Sequence, residues 1–337
     1  MSDQMKVAIC GAGAWGTAMA IQCAQQGLVV SLLPRREEQA EAMRRTGENQ
    51  DYLPGYPLPK GLSVETSDEA ALSDASIVLL GSPSYALRLW LERIKKTITA
   101  DRRVFFISLA KGLELNSGKT PCDLIGEVFP EHLMGCLSGP TFAGEVAEGK
   151  PVAMTLAASA IEPIVEATQM AISVPNMRIY LSEDLRGVEL GGCLKNVYAV
   201  AAGCSQGLSL GDNAQAALLT RALAEMVRVG LALGARSETF YGLSGFGDLS
   251  ATCHGEWSRN RTFGEAVAKG RSAKQVVESQ KTAVEGYRTA KSFHKMLSAK
   301  GIDAPILEQV YRILYDDKRP MDALSDLMSR DLKHEND

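Results

Sequence analysis

Three glycines, in the run Gly11-Ala12-Gly13-Ala14-Trp15-Gly16, stand between the apolar run at 5–10 and a helix-like segment at 17–26. Strand, glycine turn and helix in that order constrain the fold strongly. The first glycine permits the tight turn, the second lets backbone approach a pyrophosphate, and the third lets helix and strand pack closely. Amides at the helix N-terminus then face an anion. The spacing predicts a dinucleotide site in which Gly11, Gly13, Trp15 and Gly16 meet the cofactor.

Short β-rich runs at 28–33, 76–81 and 103–110 follow, separated by helical stretches. Such alternation predicts a doubly wound, mostly parallel sheet. Runs at 134–138, 152–158 and 177–181 extend it. Beyond about residue 183 apolar residues recur at helical spacing, with Leu219, Leu223, Met226, Val227 and Leu231 forming one stripe. The expected fold is therefore α/β, an N-terminal Rossmann-type parallel sheet domain over 1–183 followed by an all-α domain over 184–337. A chain of 337 residues with 45% hydrophobic content can bury two such cores. The Pro-, Gly- and Tyr-containing segment 52–59 reads as a surface loop.

Composition excludes several classes. Net charge is −4 with Lys and Arg scattered, which argues against a nucleic-acid footprint. The seven cysteines form no CxxC pair and no close grouping with the four histidines, so neither a zinc site nor a disulfide framework is expected. No signal peptide or membrane-spanning run is legible, and a soluble cytoplasmic protein without membrane insertion is expected. Among the histidines, His132, His294 and His334 read as surface or loop residues; only His254 lies in a polar cluster.

Nucleotide choice turns on the end of the second strand. NAD-preferring Rossmann domains place an acid there for the ribose hydroxyls, whereas this chain reads Leu33-Pro34-Arg35-Arg36. Two guanidiniums favour a 2′-phosphate, hence NADP (NADPH) over NAD (NADH). The alternative is a solvated charge pair ahead of Glu37 and Glu38.

The remaining polar clusters are hard to explain as packing. Lys195 sits in a run of apolar and small residues at 190–203, where an ammonium needs a reason to be buried. Lys111 follows the 103–110 strand at its carboxyl end, where open α/β sheets place ligands. Ser258-Arg259-Asn260 precedes a helical stretch at 262–269, so that Ser258 can cap it while amides and Arg259 attract phosphate; a plain capped helix with a surface Arg is the alternative. Asp248, between Gly247 and Leu249, suits a carboxylate that positions a lysine or a hydroxyl, or simply a turn.

Taken together, GAGAWGTA at 11–18, Lys111-Gly112, LSGPTFAGEV at 137–146, LKNVYA at 194–199, GLSGFGDLSATC at 242–253, SRNR at 258–261 and VEGYRT at 284–289 resemble the bacterial NAD(P)-dependent glycerol-3-phosphate dehydrogenases over essentially the whole chain. The resemblance implies reduction of dihydroxyacetone phosphate to sn-glycerol 3-phosphate, for phospholipid synthesis, by a possible homodimer. It implies Lys195 as general acid/base and Lys111 as a contact to substrate and cofactor. Gly139, Thr141, Lys195, Asp248, Ser258, Arg259 and Asn260 would line the substrate. Trp15, Arg35, Arg36, Ala143, Arg259, Ala283 and Glu285 would lie on the nucleotide side. Relatives often carry a valine two residues before the Glu, where this chain has Ala283. A lysine working in both directions needs a pKa lowered toward neutrality: burial and Lys111 would lower it and Asp248 would raise it, a balance the sequence leaves open. Two competing readings leave features unexplained. A β-hydroxyacid or 6-phosphogluconate-type dehydrogenase would space its lysine and asparagine by a helical turn, whereas Lys195 and Asn196 are adjacent; a non-catalytic dinucleotide sensor leaves the lysines, Asp248 and SRNR without a purpose.

Overall fold

The computed structural model describes residues 5–99, 102–280, 283–332 and 334–335. Ten strands are present among them: β1 (Lys6–Cys10), β2 (Val29–Leu33), β3 (Glu48–Asn49), β4 (Leu53–Pro57), β5 (Leu62–Val64), β6 (Ile77–Leu80), β7 (Phe105–Ser108), β8 (Leu133–Ser138), β9 (Val152–Ala158) and β10 (Met177–Ser182). Eight form one sheet in the order β10-β9-β8-β7-β6-β1-β2-β5. Every neighbouring pair in it is parallel except β8 with β9.

Alternate residues of the central strands enter two separate apolar cores. Ile77, Leu79, Phe105 and Ile107 face one side, and Val78, Leu80 and Phe106 face the other. That explains why these strands read as continuous apolar runs, for helices cover both faces. Strand order reverses direction at β1, whose neighbours are β2 on one side and β6 on the other. Ligands of open α/β sheets bind in the crevice at such a point.

The sheet ends at Ser182, and Asp184 caps the next helix, Leu185–Gly207, by accepting from the Gly187 amide at 2.9 Å. This 23-residue helix is buried on nearly all sides, including Lys195. Helices pack around it in a third apolar core. Its small residues matter: a Cβ on Gly203 would lie 1.9 Å from the Arg261 carbonyl, and one on Gly264 would lie 2.1 Å from the Val200 carbonyl. The Leu185–Gly207 and Arg259–Ala268 helices therefore cross backbone to backbone, which draws Ser258-Arg259-Asn260 toward Lys195.

Three local expectations are corrected, and one short strand was not foreseen. The segment 52–59 is not simply a loop; its residues Leu53–Pro57 pair with Glu48–Asn49 in an antiparallel hairpin. The short strand β5 carries too few residues to stand out by pattern. In the helix Asp212–Ala232 the buried face is Ala222, Glu225, Met226 and Val229, whereas Leu231 is 51% exposed and Leu219, Leu223 and Val227 are half-buried. His132 is buried among aromatic rings, edge-on to Phe106 and Phe129 at 5.5 and 5.6 Å, and burial lowers its pKa.

Candidate active site

The glycine turn joins β1 to the helix Ala14–Gln25. Gly11 has φ +112°, and a Cβ there would lie 2.9 Å from the Gly81 carbonyl carbon. At Gly16 a Cβ would lie 2.1 Å from the Gly11 carbonyl, so this glycine sets the packing of helix on turn. Gly13 differs, since its nearest neighbour would be the Gly81 oxygen at 3.9 Å. Its missing side chain thus leaves open space in front of the helix N-terminus, which has no side-chain cap. Free amides and an unfilled cradle fit a pyrophosphate. The turn is pinned from behind, for the Ala12 carbonyl accepts from Gln39 Nε2 at 2.8 Å and from Asn49 Nδ2 at 3.0 Å.

Trp15, half-buried, packs its ring between the sheet core and the cluster containing Ala143, and its Nε1 is buried without a partner. Ala143 opens the short helix Ala143–Ala147 beside it. Arg35 and Arg36 leave β2 exposed to solvent. Arg36 Nη2 stands 3.6 Å from Asp51 Oδ2.

The second constellation gathers four distant stretches. Asp248 begins the helix Asp248–His254, directly after a single π-type turn Leu243–Gly247. Its carboxylate, only 1% exposed, takes Lys111 Nζ at 2.6 Å on Oδ2 and Lys195 Nζ at 3.0 Å on Oδ1. Burial alone would raise the Asp248 pKa, yet the two ammoniums outweigh it and hold the carboxyl below its usual range. Lys195 also donates to Thr252 Oγ1 at 2.8 Å, and that hydroxyl donates to the Asp248 carbonyl at 2.6 Å. Lys111 also donates to the Gly139 carbonyl at 2.9 Å. An ammonium has three N–H donors. Each lysine therefore keeps one for an incoming oxygen. Burial lowers the Lys195 pKa to about 8; Lys111 assists, and Asp248 opposes without prevailing.

Gly139 adopts φ +148° where β8 turns away, and a Cβ there would lie 3.0 Å from the Ala153 carbonyl. Thr141, half-buried, donates to that same Gly139 carbonyl at 3.1 Å. Ser258 caps the helix Arg259–Ala268 by accepting from the Arg261 amide at 3.3 Å, and the helix starts three residues earlier than the pattern suggests. Arg259 is exposed at this N-terminus, within electrostatic range of Glu285.

An amide relay ties these stretches together. Asn196 Nδ2 donates to the Lys111 carbonyl at 2.8 Å, Asn260 Nδ2 donates to Asn196 Oδ1 at 2.8 Å, and the Gly286 amide donates to Asn260 Oδ1 at 2.9 Å. Next to Gly286, Glu285 accepts from the Ser84 amide at 3.2 Å and from its hydroxyl at 2.8 Å. Gly112 makes room, for a Cβ there would lie 2.6 Å from both Glu285 Oε2 and Ser84 Oγ. Ala283, half-buried, lies two residues before Glu285, while Lys281 and Thr282 fall outside the described residues. Ser84 carries no signal in the sequence, and Thr252 stands out there only as a member of the polar run at 242–253 and beyond, without a role. Thr252 stands four residues after Asp248, one helical turn on, and that spacing was the available signal. His254 is exposed and its Nδ1 meets the Ser250 carbonyl at 3.0 Å, away from both lysines' hydrogen bonds. Among the described residues no group of three His, Cys, Asp or Glu could hold a metal, and no helix is long and apolar enough to cross a membrane. All seven cysteines are free and buried.

A dinucleotide cradle at the switch point of a parallel sheet, with two lysine ammoniums sharing one buried carboxylate at the same end of that sheet, defines a nicotinamide-dependent dehydrogenase. Comparison with known proteins gives the family. The N-terminal model of NAD-dependent glycerol-3-phosphate dehydrogenase matches residues 6–163, and the C-terminal model matches 184–325. A glycerol-3-phosphate dehydrogenase [NAD(P)+] of Acidovorax ebreus is 44% identical over 97% of this chain and 98% of its own length. The Geobacter sulfurreducens protein of the same name is 41% identical, with 98% of each chain covered. The crystal structure of glycerol-3-phosphate dehydrogenase from Coxiella burnetii superimposes with a TM-score of 0.92 at 35% identity, covering 97% of this chain and 99% of that one. This chain belongs to the glycerol-3-phosphate dehydrogenase family.

Proposed function

We propose that the chain reduces dihydroxyacetone phosphate to sn-glycerol 3-phosphate, reversibly, with NADPH or NADH, and so supplies glycerophospholipid synthesis. The observation that carries this reading is the pairing of Lys111 and Lys195 on buried Asp248, each with one N–H to spare, at the carboxyl end of the sheet that holds the glycine cradle. The nicotinamide, when bound, supplies the hydride to the ketone carbon. Lys195 supplies the proton to the oxygen as it becomes an alkoxide, and in reverse takes that proton back. A pKa of about 8 suits both tasks near neutral pH. Asp248 stays ionised, fixing both ammoniums, and Lys111 steadies the same oxygen.

Gly11, Gly13 and Gly16 would hold the pyrophosphate, Arg35 and Arg36 the 2′-phosphate, and Trp15, Lys111, Ala143, Arg259, Ala283 and Glu285 the rest of the nucleotide. Ser258, Arg259 and the amides of their helix would hold the substrate phosphate, with Gly139 and Thr141 beside its carbon end. Asn260 contributes through the relay that joins Asn196 to Gly286. Binding energy from the remote phosphate can then close the two halves on the reacting carbon. The division into 1–183 and 184–337 is supported by the sheet ending at Ser182 and by the long helix beginning behind Asp184. A cytoplasmic homodimer completes the reading on the strength of the family resemblance; light scattering in solution and cell fractionation test it. The activity itself is tested by loss of reduced-nicotinamide absorbance in a substrate panel run with NADPH and NADH. Turnover of a hydroxyacid but not of dihydroxyacetone phosphate would overturn it.

A further inference from the structure

We propose that Asp51 sets the balance between NADPH and NADH by competing with a 2′-phosphate for Arg36. The inference rests on the reading of the crevice as a nicotinamide dinucleotide site. Asp51 lies in the turn between β3 and β4. That hairpin is fastened to the nucleotide cradle itself. Two residues before Asp51, buried Asn49 donates to the Ala12 carbonyl at 3.0 Å and to Thr17 Oγ1 at 2.8 Å, inside the glycine turn and its helix. The Leu58 amide closes the hairpin on the Gly47 carbonyl at 2.8 Å, and Glu48 holds the loop by accepting from Gln50 Nε2 at 2.7 Å and from the Gly55 amide at 2.9 Å. Asp51 is thus carried by a braced element to the lip where β2 ends, 3.6 Å from Arg36 Nη2.

A 2′-phosphate arriving at this lip brings charge approaching −2, and Arg36 must share or give up its contact with Asp51 to pair with it. The neutral ribose hydroxyl of NADH requires no such exchange. Arg35, the neighbouring cation, is not held by Asp51, so NADPH keeps one strong partner while its second is contested. The side chains of the pair are 50% and 64% solvent-accessible, so the competition is screened and modest. Asp51 therefore moves this chain toward dual use of the two cofactors instead of strict NADPH dependence.

The test is titration of NADPH and NADH fluorescence against the wild type, Asp51→Asn, Arg36→Ala, the Asp51→Asn/Arg36→Ala pair and Arg35→Ala/Arg36→Ala, at low and high salt. Asp51→Asn should tighten NADPH about two- to fivefold and leave NADH essentially unchanged, and the gain should shrink as salt rises. On the Arg36→Ala background the gain should vanish. If Asp51→Asn changes neither nucleotide, or both alike, the proposal is overturned; a gain that persists without Arg36 overturns competition in favour of direct repulsion. Failure of the underlying reading looks different. In that case the wild type binds neither nucleotide, or Arg35→Ala/Arg36→Ala weakens both equally, whatever Asp51→Asn does.

Discussion

Replacing Asp248 with Asn tests the electrostatic logic of the site most directly, because one carboxylate holds both lysines. At 3.0 Å and an effective dielectric near 20, Coulomb's law gives an attraction of roughly 5 kcal/mol between Asp248 and Lys195, an upper bound because relaxation recovers part of it. An opposite charge at such range typically moves a pKa by about 1–3 units. With Asp248 neutral, burial and Lys111 act unopposed, so the Lys195 pKa falls from about 8 toward about 6. At pH 7 the protonated fraction then drops from about nine-tenths to about one-tenth, a loss of about tenfold in proton supply before any misplacement is counted. The assay is kcat/KM against pH in both directions, since this ratio reports the free enzyme. Reduction of dihydroxyacetone phosphate should lose its alkaline limb near pH 8 and gain one near pH 6. Oxidation of glycerol 3-phosphate needs the neutral lysine, so its rise with pH should begin about two units earlier. A fall in reduction together with a rise in oxidation between about pH 6 and 8 cannot come from partial unfolding, which lowers both rates. If both limbs stay near pH 8 while kcat falls, Asp248 merely positions the lysines and the charge argument is wrong.

Three further outcomes are open to measurement. Lys195→Met keeps the side-chain volume but removes the proton, so kcat should fall about 10²- to 10⁴-fold while NADPH titration is unchanged; near-normal kcat in a folded variant would remove Lys195 from the chemistry. Arg259→Ala should cost dihydroxyacetone phosphate roughly ten- to a hundredfold in kcat/KM and unphosphorylated dihydroxyacetone much less, whereas an equal loss for both would reassign Arg259 to the nucleotide. Gly16→Ala puts a methyl 2.1 Å from the Gly11 carbonyl and should lower stability by about 1–3 kcal/mol in a thermal melt, while Gly13→Ala, with nothing within 3.9 Å, should melt normally yet bind NADPH poorly; equal melting losses would contradict the separate roles of the two glycines.

How much of this was legible depends on the range of the interaction involved. The central strands were readable because burial on both faces makes them uniformly apolar, a signal contained within four or five residues. The hairpin Glu48–Pro57 was not, since Pro54, Gly55 and Pro57 signal a turn, while what makes the segment a strand is its pairing with Glu48 and Asn49 and the anchoring of Asn49 to the glycine turn. The helix Asp212–Ala232 misled in another way. Its large apolar residues form a stripe, but the buried side is chosen by Phe240 packing on Gly230 and by Glu225, whose carboxylate accepts from the Ile306 and Leu307 amides at 2.8 and 2.9 Å. Small and charged residues there outrank leucines in deciding which face turns inward. His132 has no sequence signal for burial, since its neighbours Glu131 and Pro130 suggest a loop and its aromatic surroundings come from Phe106 and Phe129.

At the site, sequence supplied the identities of the charged groups and the signs of their mutual effects, but not which effect is largest. Opposing influences on Lys195 were foreseeable: burial and Lys111 against Asp248. Their order depends on two facts fixed only by folding. One is that Asp248 holds both lysines, which brings Lys111 close enough for its charge to offset part of the carboxylate's attraction for Lys195. The other is that the Leu185–Gly207 helix is buried on nearly all sides, which removes the water that would otherwise restore an ordinary lysine pKa. Glycines 203 and 264 make that burial possible by letting a second helix approach without side chains between. The lowered pKa of Lys195 thus depends on two glycines that take no part in the Lys195–Asp248 pair, and on a carboxylate more than fifty positions further along the chain.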